Sequence, residues 1–358
     1  MLPPSWVPAL PPRIEPAMAA SAIPTSWQAE RSRAWWLGVG LLLSALAATL
    51  LVAALGGPTA IERLASAGAS VPASSVFRAA AAASPPALLP PLPPLQPVRT
   101  DAAGSSIALA SFASSSLPGE GAFFVYLPPG YASTTRRYPV LYLLHGRNGH
   151  AAAFLEIGIQ ETLDRLIDER AIPPMIAVMI QDLPGLNNWR DLGSRHSETY
   201  VVEVQELVDR MLRTIPTRAA RAIAGSSMGG FGAMNVALAN PLRFAVVESW
   251  LGFFNNLGGA LRADQPVISR LGLHAFLYGA AADPVAVPAE DPEFAAELRA
   301  AGAQADSAIY PGGHSLEKVR EHLETGLLFA GRSLEGAQRH AAAEEAPRAR
   351  PRPVAAKP

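Results

Sequence analysis

The chain of 358 residues contains no cysteine. That absence excludes disulfides, zinc–thiolate sites, iron–sulfur clusters and a thiolate nucleophile, and it leaves the redox compartment undetermined. Charge is also scarce: Asp, Glu, Lys and Arg make up 16% of the residues, where about a quarter is usual. With 29 Lys+Arg against 30 Asp+Glu the net charge is −1, so the basic field that nucleic-acid binding needs is missing. No H-E-x-x-H, no cluster of metal ligands and no G-x-x-x-x-G-K-[ST] loop occurs, so no metal and no cofactor is implied. What is abundant is apolar surface, at 49% of residues, and proline, at 34.

Proline is unevenly placed: 16 fall within residues 1–98, 4 within 347–358 and 14 between. Ends of that kind are poor core formers, so the globule is the middle of the chain. Ala34–Leu55 is a run of 22 residues without a charge. As a helix it spans roughly 33 Å, enough to cross a hydrocarbon core. Trp35 and Trp36 sit where an interfacial belt lies, and Arg31 and Arg33 precede the run. The positive-inside rule then keeps residues 1–33 in the cytoplasm and puts everything after Leu55 outside the cell membrane. The alternative is a signal peptide cleaved near the small residues Leu64–Ser70, giving a secreted protein. Residues 56–100 are rich in Ala, Ser and Pro and read as a linker; within them Ser84–Pro97 holds 7 prolines in 14 positions, the signature of an extended spacer. Residues 333–358 read as a disordered tail, which leaves residues 101–332 as the folded domain.

Between these ends, strand and helix patterns alternate. Ala122–Leu127, Pro139–Leu144, Met175–Ile180, Arg221–Ala224, Phe244–Glu248, His274–Tyr278 and Asp306–Tyr310 read as strands. Phe154–Glu169, Glu198–Arg213, Gly229–Ala239, Pro292–Ala301 and Leu316–Leu328 have helical spacing. The rhythm predicts an α/β fold, a mostly parallel sheet with helices on both faces.

Gly225-Ser226-Ser227-Met228-Gly229 fits G-x-S-x-G between an apolar strand and a helix. The glycines two residues either side of the serine leave room for a strained strand-to-helix turn. Only Ser227 is in register, since Ser226 is flanked by Ala224 and Met228. A serine needs a base to take its proton and a carboxylate to orient that base. Of the 7 histidines, His314 stands in a loop after the last strand and is the expected base. Asp283, just beyond strand His274–Tyr278, is the expected acid; Glu290 and Asp291 read as a helix start, where acids favour the dipole. The oxyanion of a tetrahedral intermediate needs two N–H donors. Met228, directly after the serine, supplies one; Arg147, in the His145–Gly149 turn after strand Pro139–Leu144, supplies the other.

Leu127-Pro128-Pro129-Gly130-Tyr131, Tyr138–Gly146, the Gly225–Ala233 run and Pro311–His314 together resemble the putative-esterase branch of the α/β-hydrolases. That branch includes esterase D, enterochelin esterases, feruloyl esterases and mycolyltransferases. The resemblance covers roughly residues 105–330. It implies an α/β-hydrolase fold with Ser227 as nucleophile, Asp283 as acid, His314 as base and the Met228 and Arg147 amides as oxyanion hole. The activity implied is hydrolysis of a small-molecule or cell-envelope ester through an acyl-enzyme. Acyl transfer to a sugar or lipid hydroxyl is the nearest alternative, and a catalytically silent surface-anchored binding protein the next. Ser249–Leu273 is short for a lid, and Leu183–Gly193 falls on a loop near the site.

Overall fold

A computed structural model describes residues 92–117, 119–182 and 196–345. The apolar run Ala34–Leu55 and the loop Leu183–Gly193 lie outside the described residues. Among the described residues no helix is long and apolar enough to cross a membrane.

The strands are β1 (Gln96–Thr100), β2 (Ser106–Ala113), β3 (Glu120–Leu127), β4 (Val140–Leu144), β5 (Ile176–Gln181), β6 (Arg221–Ser226), β7 (Val246–Trp250), β8 (His274–Ala280) and β9 (Gln304–Tyr310). They form one sheet in the order β1-β2-β3-β5-β4-β6-β7-β8-β9. The first four neighbours in that order pair antiparallel, and from β5 onward every pairing is parallel. β4, β6 and β7 are buried along their whole length, as parallel strands covered on both faces must be.

Alternate residues of these strands go to opposite faces, and each face has its own core. Val140, Tyr142, Leu144, Ile176, Val178, Ile180 and Leu277 belong to one. That face packs against α3 (His196–Met211), α4 (Met228–Ala239), α5 (Gly258–Leu271) and α6 (Glu290–Ala300). Leu141, Leu143, Met179, Ala224, Trp250 and Tyr278 belong to the other, which packs against α1 (Ala153–Glu156), α2 (Ile159–Asp168) and α7 (Leu316–Glu345). The result is a three-layer α/β fold.

Three boundaries differ from the sequence reading. The helix expected over Phe154–Glu169 is two helices, because Gly158 sits at φ 89°, outside helical geometry, and restarts the chain as the N-cap of α2. β1 lies inside the span read as linker. It is an edge strand, exposed at every position, where proline is tolerated because one row of N–H groups has no ladder to join; Arg99 ties it down through Gln160 at 2.6 Å and Glu161 at 3.1 Å. The tail reading fails over residues 333–345, which continue α7. The apolar spacing Val319, Leu323, Leu327 runs on through Ala330 and Leu334, both fully buried, and Glu335–Arg339 adds an i,i+4 ion pair at 2.7 Å. The span Ser249–Leu273 contains α5.

Candidate active site

β6 ends at Ser226, and α4 starts at Met228, so Ser227 occupies the turn between them. Its backbone has φ 57° and ψ −120°, a left-handed conformation that a non-glycine residue adopts only when its surroundings enforce it. They do. Its N–H donates to Trp250 O at 2.7 Å, and its carbonyl accepts from Gly230 at 2.9 Å and Phe231 at 3.1 Å. The flanking glycines are required by space: a Cβ on Gly225 would lie 2.7 Å from the Leu144 carbonyl oxygen, with Gly229 nearer still. A Cβ on Gly229 would lie 2.6 Å from the His145 carbonyl oxygen, with that of Leu144 closer. The turn and the β4 loop are packed backbone to backbone.

Asp283 follows β8 and His314 follows β9. Pairing between these strands extends into the loops: Ala281 N–H donates to Tyr310 O and Ala282 N–H to Gly312 O, both at 2.8 Å. Gly312, at φ 111°, turns the chain there. The loops are therefore zipped together, and the side chains meet. His314 Nδ1 lies 2.7 Å from Asp283 Oδ2, and His314 Nε2 lies 2.7 Å from Ser227 Oγ. Asp283 Oδ1 accepts two further backbone bonds, from Val285 at 2.7 Å and Ala286 at 3.0 Å. The Asp283 side chain is 1% exposed and that of His314 16%. The structure thus brings together all three side chains singled out in the sequence. The loop of His314 is pinned to that of Asp283 through the Gly312 carbonyl.

Arg147 and Met228 both line a cleft of about 300 Å³ beside Ser227, with Phe253, Asn255 and Val285 among its other walls. The turn that carries Arg147 is shaped by His145. Its Nδ1 lies 2.9 Å from Gly146 O, and its Nε2 accepts the Asp182 N–H at 3.3 Å. One ring nitrogen donating and the other accepting is the neutral imidazole, and burial accordingly pushes the His145 pKa down. Gly149 closes the turn onto Gly146 O at 3.0 Å, with Asn148 at φ 56°.

The two other acids of the region have different surroundings. Glu290 Oε2 accepts the Phe254 N–H at 3.2 Å and lines the cleft. Asp291 is fully buried against Gly279 of β8, with neither oxygen hydrogen-bonded. Burial, then the charges of Glu290 and Asp283, push its pKa up to about 7. Glu248 in β7 is also fully buried; it accepts Trp250 Nε1–H at 2.9 Å, and burial pushes its pKa well up. Sequence reasoning missed the burial of both. The signal for Asp291 was faint: Gly279, the penultimate residue of the apolar strand β8, makes the space its carboxyl fills.

A sheet of this order, with a serine on a strand-to-helix turn and His and Asp on the loops after later strands, defines an α/β-hydrolase. The family model described as Putative esterase matches residues 114–330, more than half of the chain, and the chain belongs to that family. An esterase of Mycobacterium tuberculosis (strain H37Rv) is 34% identical over 137 residues, covering 36% of this chain and 28% of that protein. An endo-1,4-beta-xylanase/feruloyl esterase of Xylanibacter ruminicola is 33% identical over 129 residues, covering 34% of this chain and 18% of that one. The chain thus spans under a third of the length of these curated relatives. Among solved structures, a ferulic acid esterase has TM-score 0.58 at 23% identity, covering 64% of this chain and 98% of its own. An S-formylglutathione hydrolase from Staphylococcus aureus has TM-score 0.51 at 15% identity, covering 63% and 98%. At these identities the structures share the fold.

Proposed function

We propose that the protein is a serine esterase that hydrolyses carboxylic esters through an acyl-enzyme on Ser227. The observation that carries this reading is the unbroken chain Ser227 Oγ–His314–Asp283, with both links at 2.7 Å. His314 Nε2 takes the proton as Ser227 Oγ attacks the ester carbonyl carbon. Asp283, accepting Nδ1–H, holds the ring in the tautomer that leaves Nε2 free to do so. Charge on the carbonyl oxygen is met by the Met228 and Arg147 N–H groups. The tetrahedral intermediate collapses, the alcohol leaves with the proton from His314, and Ser227 carries the acyl group. Water, deprotonated by the same histidine, attacks the acyl carbonyl; the acid leaves and Ser227 regains its proton.

Hydrolysis is favoured over acyl transfer by the openness of the site. Val285 and Val287, which line the cleft, are 62% and 57% exposed, so water reaches an acyl group on Ser227. The substrate class is a small-molecule or cell-envelope ester, and the cell-envelope setting follows from the uncharged run Ala34–Leu55 behind Arg31 and Arg33. That run anchors the chain in the cell membrane with the catalytic domain outside. Nitrophenyl esters of graded chain length, turned over with and without a sugar acceptor, test the activity. Free acid as sole product supports hydrolysis, acylated sugar replaces it with transfer, and no turnover of any ester leaves the silent binding protein. Protease added to intact cells tests the anchor: it removes the catalytic domain and spares residues 1–33.

A further inference from the structure

The backbone of Ser227 is tied to the end of β7. Its N–H donates to Trp250 O at 2.7 Å, and the N–H of Leu251 donates to Tyr278 O at 2.6 Å. The Trp250–Leu251 peptide therefore bridges the serine turn and β8, its oxygen on one side and its hydrogen on the other. Leu251 holds φ 54° as Ser227 holds φ 57°. Non-glycine residues keep such values only where their surroundings enforce them.

Part of that enforcement is the Trp250 side chain. It is fully buried, stacked on Tyr278 at 6.4 Å and 16° and edge-on to Phe154 at 6.4 Å and 73°. Helix α7 closes on it with Gly326, where a Cβ would lie 2.7 Å from Trp250 Cζ2. A stacked ring can still slide in its own plane. Nε1–H removes that freedom by donating to Glu248 Oε2 at 2.9 Å. Glu248 stands two residues earlier on β7, hence on the same face, and is fully buried. Its Oε1 has no hydrogen-bond partner among the described residues, and burial pushes its pKa well up, so the group is a neutral acid. A buried carboxyl with one oxygen unpaired costs stability that an apolar side chain in this core would not. What it offers that an apolar side chain lacks is an acceptor for the indole.

We propose that Glu248 is a positioning residue for the reaction: through Oε2 it fixes the Trp250 indole, through the indole the Trp250–Leu251 peptide, and through the Trp250 carbonyl the backbone of Ser227. The inference rests on Ser227 as nucleophile, the reading given above. A neutral acceptor is all the role needs. Glutamine therefore fills it, whereas methionine, of similar length with only a weak sulfur acceptor, does not.

The rate at which a fluorophosphonate labels Ser227 in the full chain tests it, beside turnover of 4-nitrophenyl butyrate and a thermal melt. Glu248→Met and Trp250→Phe each slow labelling at least tenfold, while its final extent stays at one equivalent per folded chain. In both, kcat falls by the same factor and KM stays within twofold. Glu248→Gln rescues, recovering both rates to within threefold of wild type. The two losses run through one hydrogen bond, so the double variant is no more than threefold slower than the slower single. A merely looser core would instead lower the extent of labelling and let the losses multiply. If Glu248→Met does not fold, Trp250→Phe carries the test. The proposal is overturned by a folded Glu248→Met or Trp250→Phe that reacts like wild type, by Glu248→Gln as slow as Glu248→Met, or by losses that multiply in the double variant. Wild type left unlabelled at Ser227 overturns the esterase reading and this one with it, whereas normal wild-type labelling with unimpaired variants overturns this one alone.

Discussion

Replacing Asp283 with Asn changes one oxygen to NH₂ and keeps the shape, so the consequences can be worked from the hydrogen bonds. In the native site Oδ1 is held by two backbone donors, Val285 and Ala286, while Oδ2 faces His314 Nδ1. An asparagine has one acceptor oxygen for these two places. Keeping the oxygen on the backbone donors turns NH₂ toward His314, which forces Nδ1 to accept and Nε2 to carry the proton. That tautomer cannot take a proton from Ser227. Turning the amide round restores the tautomer but sets NH₂ against two N–H groups. Two lost hydrogen bonds, at about 1–1.5 kcal/mol each, disfavour that orientation, so the productive tautomer falls by about two orders of magnitude. The lost carboxylate charge, which stabilises the imidazolium, removes about 1.5–3 kcal/mol more. Together these predict a fall in kcat of roughly 10³–10⁴, in line with such substitutions in other serine triads. Turnover of 4-nitrophenyl butyrate alongside a thermal melt measures it. A folded Asp283→Asn within tenfold of wild type refutes the reasoning, and a collapse in Glu290→Gln or Asp291→Asn instead would move the acid to one of those residues.

Ser227→Ala should abolish labelling by a fluorophosphonate probe, whereas Ser226→Ala should keep it, because the 2.7 Å contact to His314 Nε2 is made by Ser227; labelling of both variants alike would remove Ser227 as nucleophile. Met228→Ala retains the N–H and should cost under tenfold in kcat, while Met228→Pro deletes one oxyanion donor and should cost roughly 10²–10³; a large loss in a folded Met228→Ala would show that its side chain acts. Gly229→Ala puts a methyl group against the Leu144 and His145 carbonyls and should lower stability by about 1–3 kcal/mol, read as a shift in denaturation midpoint. Asp291, fully buried with its pKa raised to about 7, stays protonated in the folded state between about pH 4 and 7 while the unfolded chain releases the proton. Stability of wild type should therefore decline across that window relative to Asp291→Asn and level off above it; parallel stability–pH curves for the two proteins would contradict this.

The site was largely legible because its chemistry imposes local sequence rules. A turn that presents Ser227 at φ 57° tolerates no side chain at Gly225 or Gly229, so the glycines announce it. His314 and Asp283 were found by chain order and by their places after strands. What decides between Asp283 and Asp291 is long-range. Asp283 is caught between two backbone N–H groups and a histidine 31 residues away. Asp291, eight residues further on, turns inward onto Gly279. No periodicity distinguishes the two, since both are acidic and both stand between β8 and the body of α6.

The ends of the domain failed for the opposite reason: the forces that order them leave no local pattern. β1 buries no residue, so it lacks the alternation that marks a strand, and its proline content points toward an extended spacer. Its ladder to β2 and the Arg99 contacts to α2 order it, and both are made by residues distant in sequence. The end of α7 shows the converse. Its Ala- and Glu-rich composition is shared by disordered tails and by good helix formers. Ala330 and Leu334 decide the matter by sitting in the core beneath the sheet, which carries the helix past Leu328 as far as Glu345.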